Sequence, residues 1–179
     1  MSNNFSALFN KVEHANSVIC AVDRRIRAIL HWSVADASAT IDHLRWAAKA
    51  SDVMRSIVDD WHVVYWRCER FATITLRDPD ANAMSETTVE TSLIEARAVR
   101  AKFDELGQEL LAFRRTGAAA NHQYEAIYFD MPDEENRTNH HTLQDAIPEM
   151  ELAVQRAIEA LMAHETVLKA WPQKPVHPE

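Results

Sequence analysis

Scarcity of glycine is the feature that most limits what this chain can fold into. The 179 residues include only two glycines, against 27 alanines, where average usage would give roughly a dozen glycines. Glycine supplies the positive-φ conformations of tight turns and phosphate-binding loops, whereas alanine is the best helix former. The composition therefore predicts long helices joined by few loops, and it excludes most glycine-dependent nucleotide-binding motifs.

Apolar residues recur at alternating intervals of three and four residues, the heptad pattern that turns one narrow face of a helix toward a partner helix. The first series of this kind begins at Phe5, and three more begin at Leu44, Val89 and Leu143. Four heptad series in one chain predict an all-α fold, an elongated antiparallel four-helix bundle with coiled-coil-like packing. The first series contains Phe5, Leu8, Val12, Ala15, Ile19, Val22, Ile26 and Ile29.

Helix breakers and caps divide the chain into a single helical-bundle domain over residues 1–171 and a flexible C-terminal tail over 172–179. Pro79 follows the second predicted helix, and Ser85 is placed to cap the third because serine accepts a hydrogen bond from the first helical turn. The predicted helices occupy residues of about 4–31, 36–77, 85–130 and 145–171.

These bounds make the second and third helices the longest pair, so we expect their hairpin to project beyond the other two helices. Antiparallel packing of this pair brings Arg67 and Arg70 close to Glu90 and Glu95. Opposite charges at these positions favour the hairpin, although an exposed ion pair contributes only about 0–1 kcal/mol.

Charge and hydropathy limit the possible partners. The formal net charge of −8 disfavours nucleic acid and anionic membranes, because their phosphates would be repelled. No apolar run approaches the ~18–20 residues that a membrane span needs, and the N-terminal segment lacks the features of a signal peptide. The only thiols are those of Cys20 and Cys68. Two cysteines fit the reducing cytosol better than the disulfide framework of a secreted protein, so we expect a cytoplasmic protein. The preference for arginine over lysine is typical of a GC-rich bacterial or phage genome.

Cofactor and metal motifs are missing from the sequence. Di-iron bundles need Glu-x-x-His on two helices, and this chain contains no Glu-x-x-His. Asp59 and His62 form one Asp-x-x-His, without a match on a second helix, and the cysteines lack zinc spacing. Phosphate loops, dinucleotide fingerprints and nucleophile elbows are also absent. We therefore predict no metal and no cofactor.

The second helix carries apolar residues outside its heptad series. A helix at the surface of a small bundle should show one apolar face only. Two interpretations remain open: the helix is central and contacts both of its neighbours, or the additional residues bind a partner. Tryptophan suits the second interpretation because it combines a large apolar area with a polar tip. The candidate partner-binding residues are Val53, Ile57, Trp61, Val64, Trp66 and Phe71.

Arg55 and His62 form the candidate catalytic pair. They lie seven residues apart on one helical face, and this spacing is similar to the motif of HEPN-type ribonucleases. Such enzymes are helical bundles that use the pair at a dimer interface to cleave RNA. The motif is short, and Arg24 with His31 matches it as well. A ribonuclease is therefore the alternative that the resemblance implies.

The function that the sequence favours is protein–protein interaction without catalysis. We predict an adaptor, regulator, inhibitor or assembly component that binds another protein through a helical face and forms homo-oligomers. His164 is the one ionisable residue deep in the fourth heptad series, where we expect a core or bundle-end histidine with its hydrogen bonds satisfied; setting the register of the helices or sensing pH are the alternatives. An amphipathic coat protein for a granule or phage particle is a further alternative.

Overall fold

The computed structural model describes residues 2–35, 41–77, 84–115, 129–132, 138–141 and 143–170. Within these ranges the chain forms four long helices and one short β-ribbon. The elements are α1 (Ser2–Ala35), α2 (Ile41–Arg77), α3 (Glu86–Arg115), β1 (Phe129–Pro132), β2 (Thr138–His141) and α4 (Leu143–Ala170).

The four helices form a bundle in which each helix contacts two others. The contacting pairs are α1 with α2, α2 with α3, α3 with α4, and α4 with α1. Contacts between side chains give the helix directions. Nε of Arg100 lies 3.9 Å from Oε1 of Glu151, and Nζ of Lys169 lies 3.9 Å from Oε1 of Glu86. Because the first turn of α3 meets the last turn of α4, these two helices are antiparallel. The predicted all-α helical bundle is confirmed.

The core consists of the apolar stripes that the helices turn toward the bundle axis. All eight residues of the first heptad series, from Phe5 to Ile29, are buried. Each later series also contributes buried residues, with Met54, Phe103 and Leu161 among the largest. Burial of apolar surface contributes about 25 cal/mol per Å², so the repeating stripe is the main source of the stability of the bundle.

The boundary between α2 and α3 carries the polar contacts that fix their register. The Arg67 guanidinium pairs with the Glu95 carboxylate, with Nη2 donating to Oε1 at 3.0 Å. About two turns away along each helix, Lys102 Nζ donates to Asp60 Oδ2 at 2.5 Å, and it also donates to Ser56 Oγ, one turn further along α2, at 2.5 Å. The predicted contact of Arg67 with Glu95 is therefore confirmed, whereas Arg70 lies over the ring of Trp66.

A local signal fixes the start of α3, whereas the start of α4 differs from the prediction. The amide N–H of Thr88 donates to Ser85 Oγ at 3.2 Å, which confirms Ser85 as the cap of α3. The fourth helix begins at Leu143, two residues before the predicted start, so Pro148 lies just beyond its first turn. Pro148 has no N–H to donate to the carbonyl of Gln144, and the helix continues with that one hydrogen bond missing.

The prediction for the third helix was wrong at its C-terminal end. The described part of α3 ends at Arg115, and residues 129–132, which the sequence placed at the end of this helix and in the loop after it, form β1. β1 pairs antiparallel with β2, with Phe129 opposite His141 and Pro132 opposite Thr138. Buried Met131 fits a heptad spacing and a strand equally well, which explains the error.

Within the described residues α1 contains 34 residues and α3 contains 30, so at 1.5 Å per residue they span about 51 and about 45 Å. The first helix continues through residues 32–35, beyond its predicted end. Residues 116–128, which the prediction assigns to the third helix, lie outside the described residues, so the expected order of helix lengths stays a prediction. The predicted tail over 172–179 lies outside the described residues.

Candidate functional site

The six candidate partner-binding residues of α2 divide by burial. Ile57, Trp61 and Val64 have no exposed surface and belong to the bundle core. Their assignment to a partner surface was wrong, because α2 packs against both α1 and α3 and buries a wide apolar face between them. Val53 and Phe71 are partly buried and pack against the same core.

Trp66 alone among the six is exposed, with 52% of its surface open to solvent. Two apolar neighbours on the same side of the helix share this exposure: Val63 is 40% exposed and Ile74 is 37% exposed. Val63 was not among the predicted site residues. It lies three residues before Trp66, on the side of α2 opposite the core, and that spacing could have identified it.

Charged residues lie on both sides of Val63 and Trp66 along the helix. At 100° per residue, Asp52, Asp59, Arg70 and Arg77 fall with Val63 and Trp66 within a sector of about 60°, opposite buried Trp61. All of them are exposed. The guanidinium carbon of Arg70 lies 5.8 Å from the centre of the Trp66 ring, a cation–π geometry that holds both side chains against the helix. We call these residues the α2 outer face: Asp52, Asp59, Val63, Trp66, Arg70 and Arg77.

The predicted catalytic pair lies beside this face, toward α1. Arg55 and His62 are both exposed, and seven residues of helix separate them by about 10.5 Å along the axis. The His62 ring is 6.5 Å from the ring of Tyr65. Tyr65 in turn stacks on Phe9 of α1 at 6.3 Å.

Tyr65 marks the boundary between α1 and α2. Burial, and then the charge of Glu69, raises the pKa of its hydroxyl, and a hydrogen bond to Glu69 adds to the effect. Glu13 on α1 acts in the same direction. Tyr65 therefore remains protonated at neutral pH, and its ring contributes to helix packing while its hydroxyl reaches the surface.

A groove lies between α1 and α4. It encloses about 430 Å³ and is lined by Leu8, Ala160 and Val167, with Lys11, Glu159 and His164 among its polar residues. The His164 ring meets Phe5 edge-on at 5.9 Å, and burial lowers the pKa of the imidazole. The imidazole is partly buried, and its Nδ1 is buried without a hydrogen-bond partner among the described residues, so His164 is not the satisfied core histidine that its heptad position predicts.

Among the described residues, no group of three or more His, Cys, Asp or Glu side chains lies close enough together to hold a metal ion.

The two cysteines differ in their surroundings. Cys68 is buried, which raises its thiol pKa to about 12, and Cys20 is half-buried. Burial, followed by the Asp23 charge, also raises the pKa of Cys20. Neither thiol is in the form that nucleophilic catalysis needs.

Comparison with protein-family models, with curated proteins and with solved structures finds no match to this chain. None of the described helices combines the length and apolarity that crossing a membrane requires.

Proposed function

We propose that this protein is a non-enzymatic interaction protein that binds a helix of another polypeptide on the α2 outer face. The observation that carries the proposal is the exposure of Trp66. Tryptophan, tyrosine and arginine are the residues most enriched among those that dominate binding energy at protein interfaces. Here a half-exposed Trp66 and Arg70 lie in contact on one helix.

The contrast with the two other tryptophans of α2 supports this interpretation. Trp46 and Trp61 are buried in the core. Trp66 instead lies beside a second exposed apolar residue, Val63, and adjoining exposed apolar residues, unlike single ones, are typical of interaction sites. Covering the exposed half of Trp66, about 100 Å² of a side chain that buries 150–250 Å², would contribute about 2.5 kcal/mol to binding.

The partner that fits this face is amphipathic and carries both signs of charge. Trp66 and Val63 need an apolar residue opposite them. Asp52 and Asp59 lie toward the N-terminal end of the face and favour basic groups, whereas Arg70 and Arg77 lie toward its C-terminal end and favour acidic groups. Charge complementarity of this kind determines orientation and partner choice more than it adds affinity.

The test compares Trp66→Ser with Ile94→Ser. Ile94 on α3 is 62% exposed, so its replacement removes a similar exposed apolar group from a different face. Each protein is immobilised and incubated with extract of the source cells, and separately with the untagged chain itself. We expect a polypeptide, either another protein or the chain itself, that wild type and Ile94→Ser retain and Trp66→Ser loses. Equal retention by all three proteins would contradict the proposal.

The ribonuclease remains a second candidate function because Arg55 and His62 are both exposed on one face of α2, as RNA cleavage by such a pair requires. The net charge of −8 opposes RNA binding. Incubation of labelled RNA with wild type and with His62→Ala distinguishes the two functions. Cleavage by wild type that the variant lacks would favour the enzyme, and equal background in both would exclude this pair.

The coat protein remains an alternative without a specific supporting contact. It predicts open-ended assembly that grows with concentration, whereas an interaction protein forms a complex of fixed stoichiometry. Light scattering across a concentration series separates these two behaviours.

A further inference from the structure

We propose that the α2 outer face binds a second copy of this chain, with the two α2 helices antiparallel. This inference rests on the proposed function and names the partner of the same face. A two-fold dimer uses one patch on both subunits, so the patch must be complementary to itself after a half-turn. The α2 outer face meets that condition in both its spacing and its charges.

The spacing of the face is the same in both directions. From Asp52 to Arg77 the six residues are separated by seven, four, three, four and seven positions. The charges reverse about the midpoint, which lies between Val63 and Trp66. Two acidic residues precede it and two basic residues follow it: Asp52 and Asp59, then Arg70 and Arg77.

Antiparallel alignment about this midpoint pairs every residue of the face with a complementary one. Trp66 of each copy faces Val63 of the other copy. Asp59 faces Arg70 in the same way, and Asp52 faces Arg77. Parallel alignment would instead place each charged residue opposite its own copy, with like charges in contact. The sequence of charges therefore selects both the partner and its direction.

These charged groups are available for such pairing. Asp52, Asp59 and Arg77 form no ion pair within the part of the chain that the structure describes, in contrast to Asp60 and Arg67 on the adjoining side of α2, which pair with α3. Arg70 lies over the Trp66 ring and forms no ion pair or hydrogen bond among the described residues, which leaves its guanidinium N–H groups open to a carboxylate.

The size of the face indicates a weak association. The 26 residues from Asp52 to Arg77 span about 38 Å, and a contact strip about 10 Å wide gives roughly 400 Å² per copy. A stable interface of standard size buries about 800 Å² per partner, and smaller ones are typical of transient complexes. We therefore expect a transient dimer whose population depends on protein concentration.

The experiment is sedimentation equilibrium across about 1–200 µM protein, a range that covers weak, transient association. It compares wild type, Asp59→Arg, Arg70→Asp and the variant that carries both substitutions. Each single substitution places like charges at two facing pairs, so we expect the dissociation constant to rise at least tenfold. The double variant exchanges the charges and preserves complementarity, so we expect recovery to within about threefold of wild type. Ile94→Ser is the control with an unchanged constant, and circular dichroism establishes that every variant is folded.

Three results would overturn the inference. Wild type that stays monomeric throughout the range excludes the dimer. A dimer that neither single variant weakens uses another face. Weak association of the double variant excludes antiparallel pairing.

If wild type is monomeric while Trp66→Ser still loses another protein from the extract, this inference fails and the proposed function stands. If Trp66→Ser changes neither kind of binding, both fail.

Discussion

Replacing Ile57 by alanine tests the central structural conclusion, which is that most of the additional apolar residues of α2 lie in the core. Ile57 has no exposed surface. The substitution removes three carbon atoms, each worth about 0.8 kcal/mol of transfer free energy, or about 2.4 kcal/mol together. The cavity left by incomplete collapse adds to that loss, and isoleucine-to-alanine changes in cores cost 2–5 kcal/mol. We expect about 3–4 kcal/mol.

Val63→Ala is the matched control on the same helix. It removes two carbon atoms from a side chain that is 40% exposed, so the transfer loss is about 1 kcal/mol. Alanine also has a higher helix propensity than valine, by about 0.5 kcal/mol. The expected net loss of stability is therefore about 0.5 kcal/mol, several times smaller than at Ile57.

Urea unfolding followed by far-UV circular dichroism measures both losses. With an m-value of about 2 kcal/mol/M, Ile57→Ala should lower the midpoint by about 1.5–2 M, and Val63→Ala by about 0.3 M. The measurement is repeated at several protein concentrations, because association stabilises the folded chain by mass action. If Ile57→Ala unfolds within 1 kcal/mol of wild type and instead weakens self-association, the packing of α2 between its neighbours is wrong.

Three further predictions concern the cap, the thiols and the buried imidazole. Ser85→Ala removes the acceptor for the Thr88 amide and should cost about 1 kcal/mol in urea unfolding; Ser85→Gly, which costs only a few tenths, is the control. At pH 8 a disulfide reagent should label Cys20 well before Cys68, because burial raises the Cys68 pKa to about 12; equal rates in Cys20→Ser and Cys68→Ser would contradict this. Burial lowers the pKa of His164 below its ordinary 6.5, so the unfolded chain binds more protons and stability falls as pH drops through 6.5. His164→Gln should lose less stability than wild type between pH 7 and pH 5, and equal losses would exclude this effect.

Much of the fold was predictable because local signals and burial agree along most of the chain. In α1 every residue of the strict heptad series is buried, and among the described residues the spacing missed only buried ones beside that series, Val18, Ala21 and Asp23, which are covered because α1 packs against both α2 and α4. Ser85 was predictable as a cap because the requirement for an acceptor in the first helical turn is local. The contact between Arg67 and Glu95 followed from the antiparallel order and from complementary charge.

The β-ribbon was not predictable for a physical reason. Phe129, Asp130 and Met131 alternate between apolar and polar residues, as a strand does, but Met131 also continues the heptad spacing of the third helix. A segment of four residues carries too little periodicity to separate the two alternatives. Pairing with Thr138–His141 and burial of Met131 depend on contacts that no local pattern encodes.

The candidate site shows the same division. Periodicity alone established that α2 carries two kinds of apolar position, because residues spaced by three and four share a face whatever surrounds the helix. Which of them reach solvent depended on where the neighbouring helices lie. By packing on both sides of α2, α1 and α3 enclosed Ile57, Trp61 and Val64 and left Trp66 exposed. Burial is a property of the assembled bundle, so only the tertiary structure could decide it.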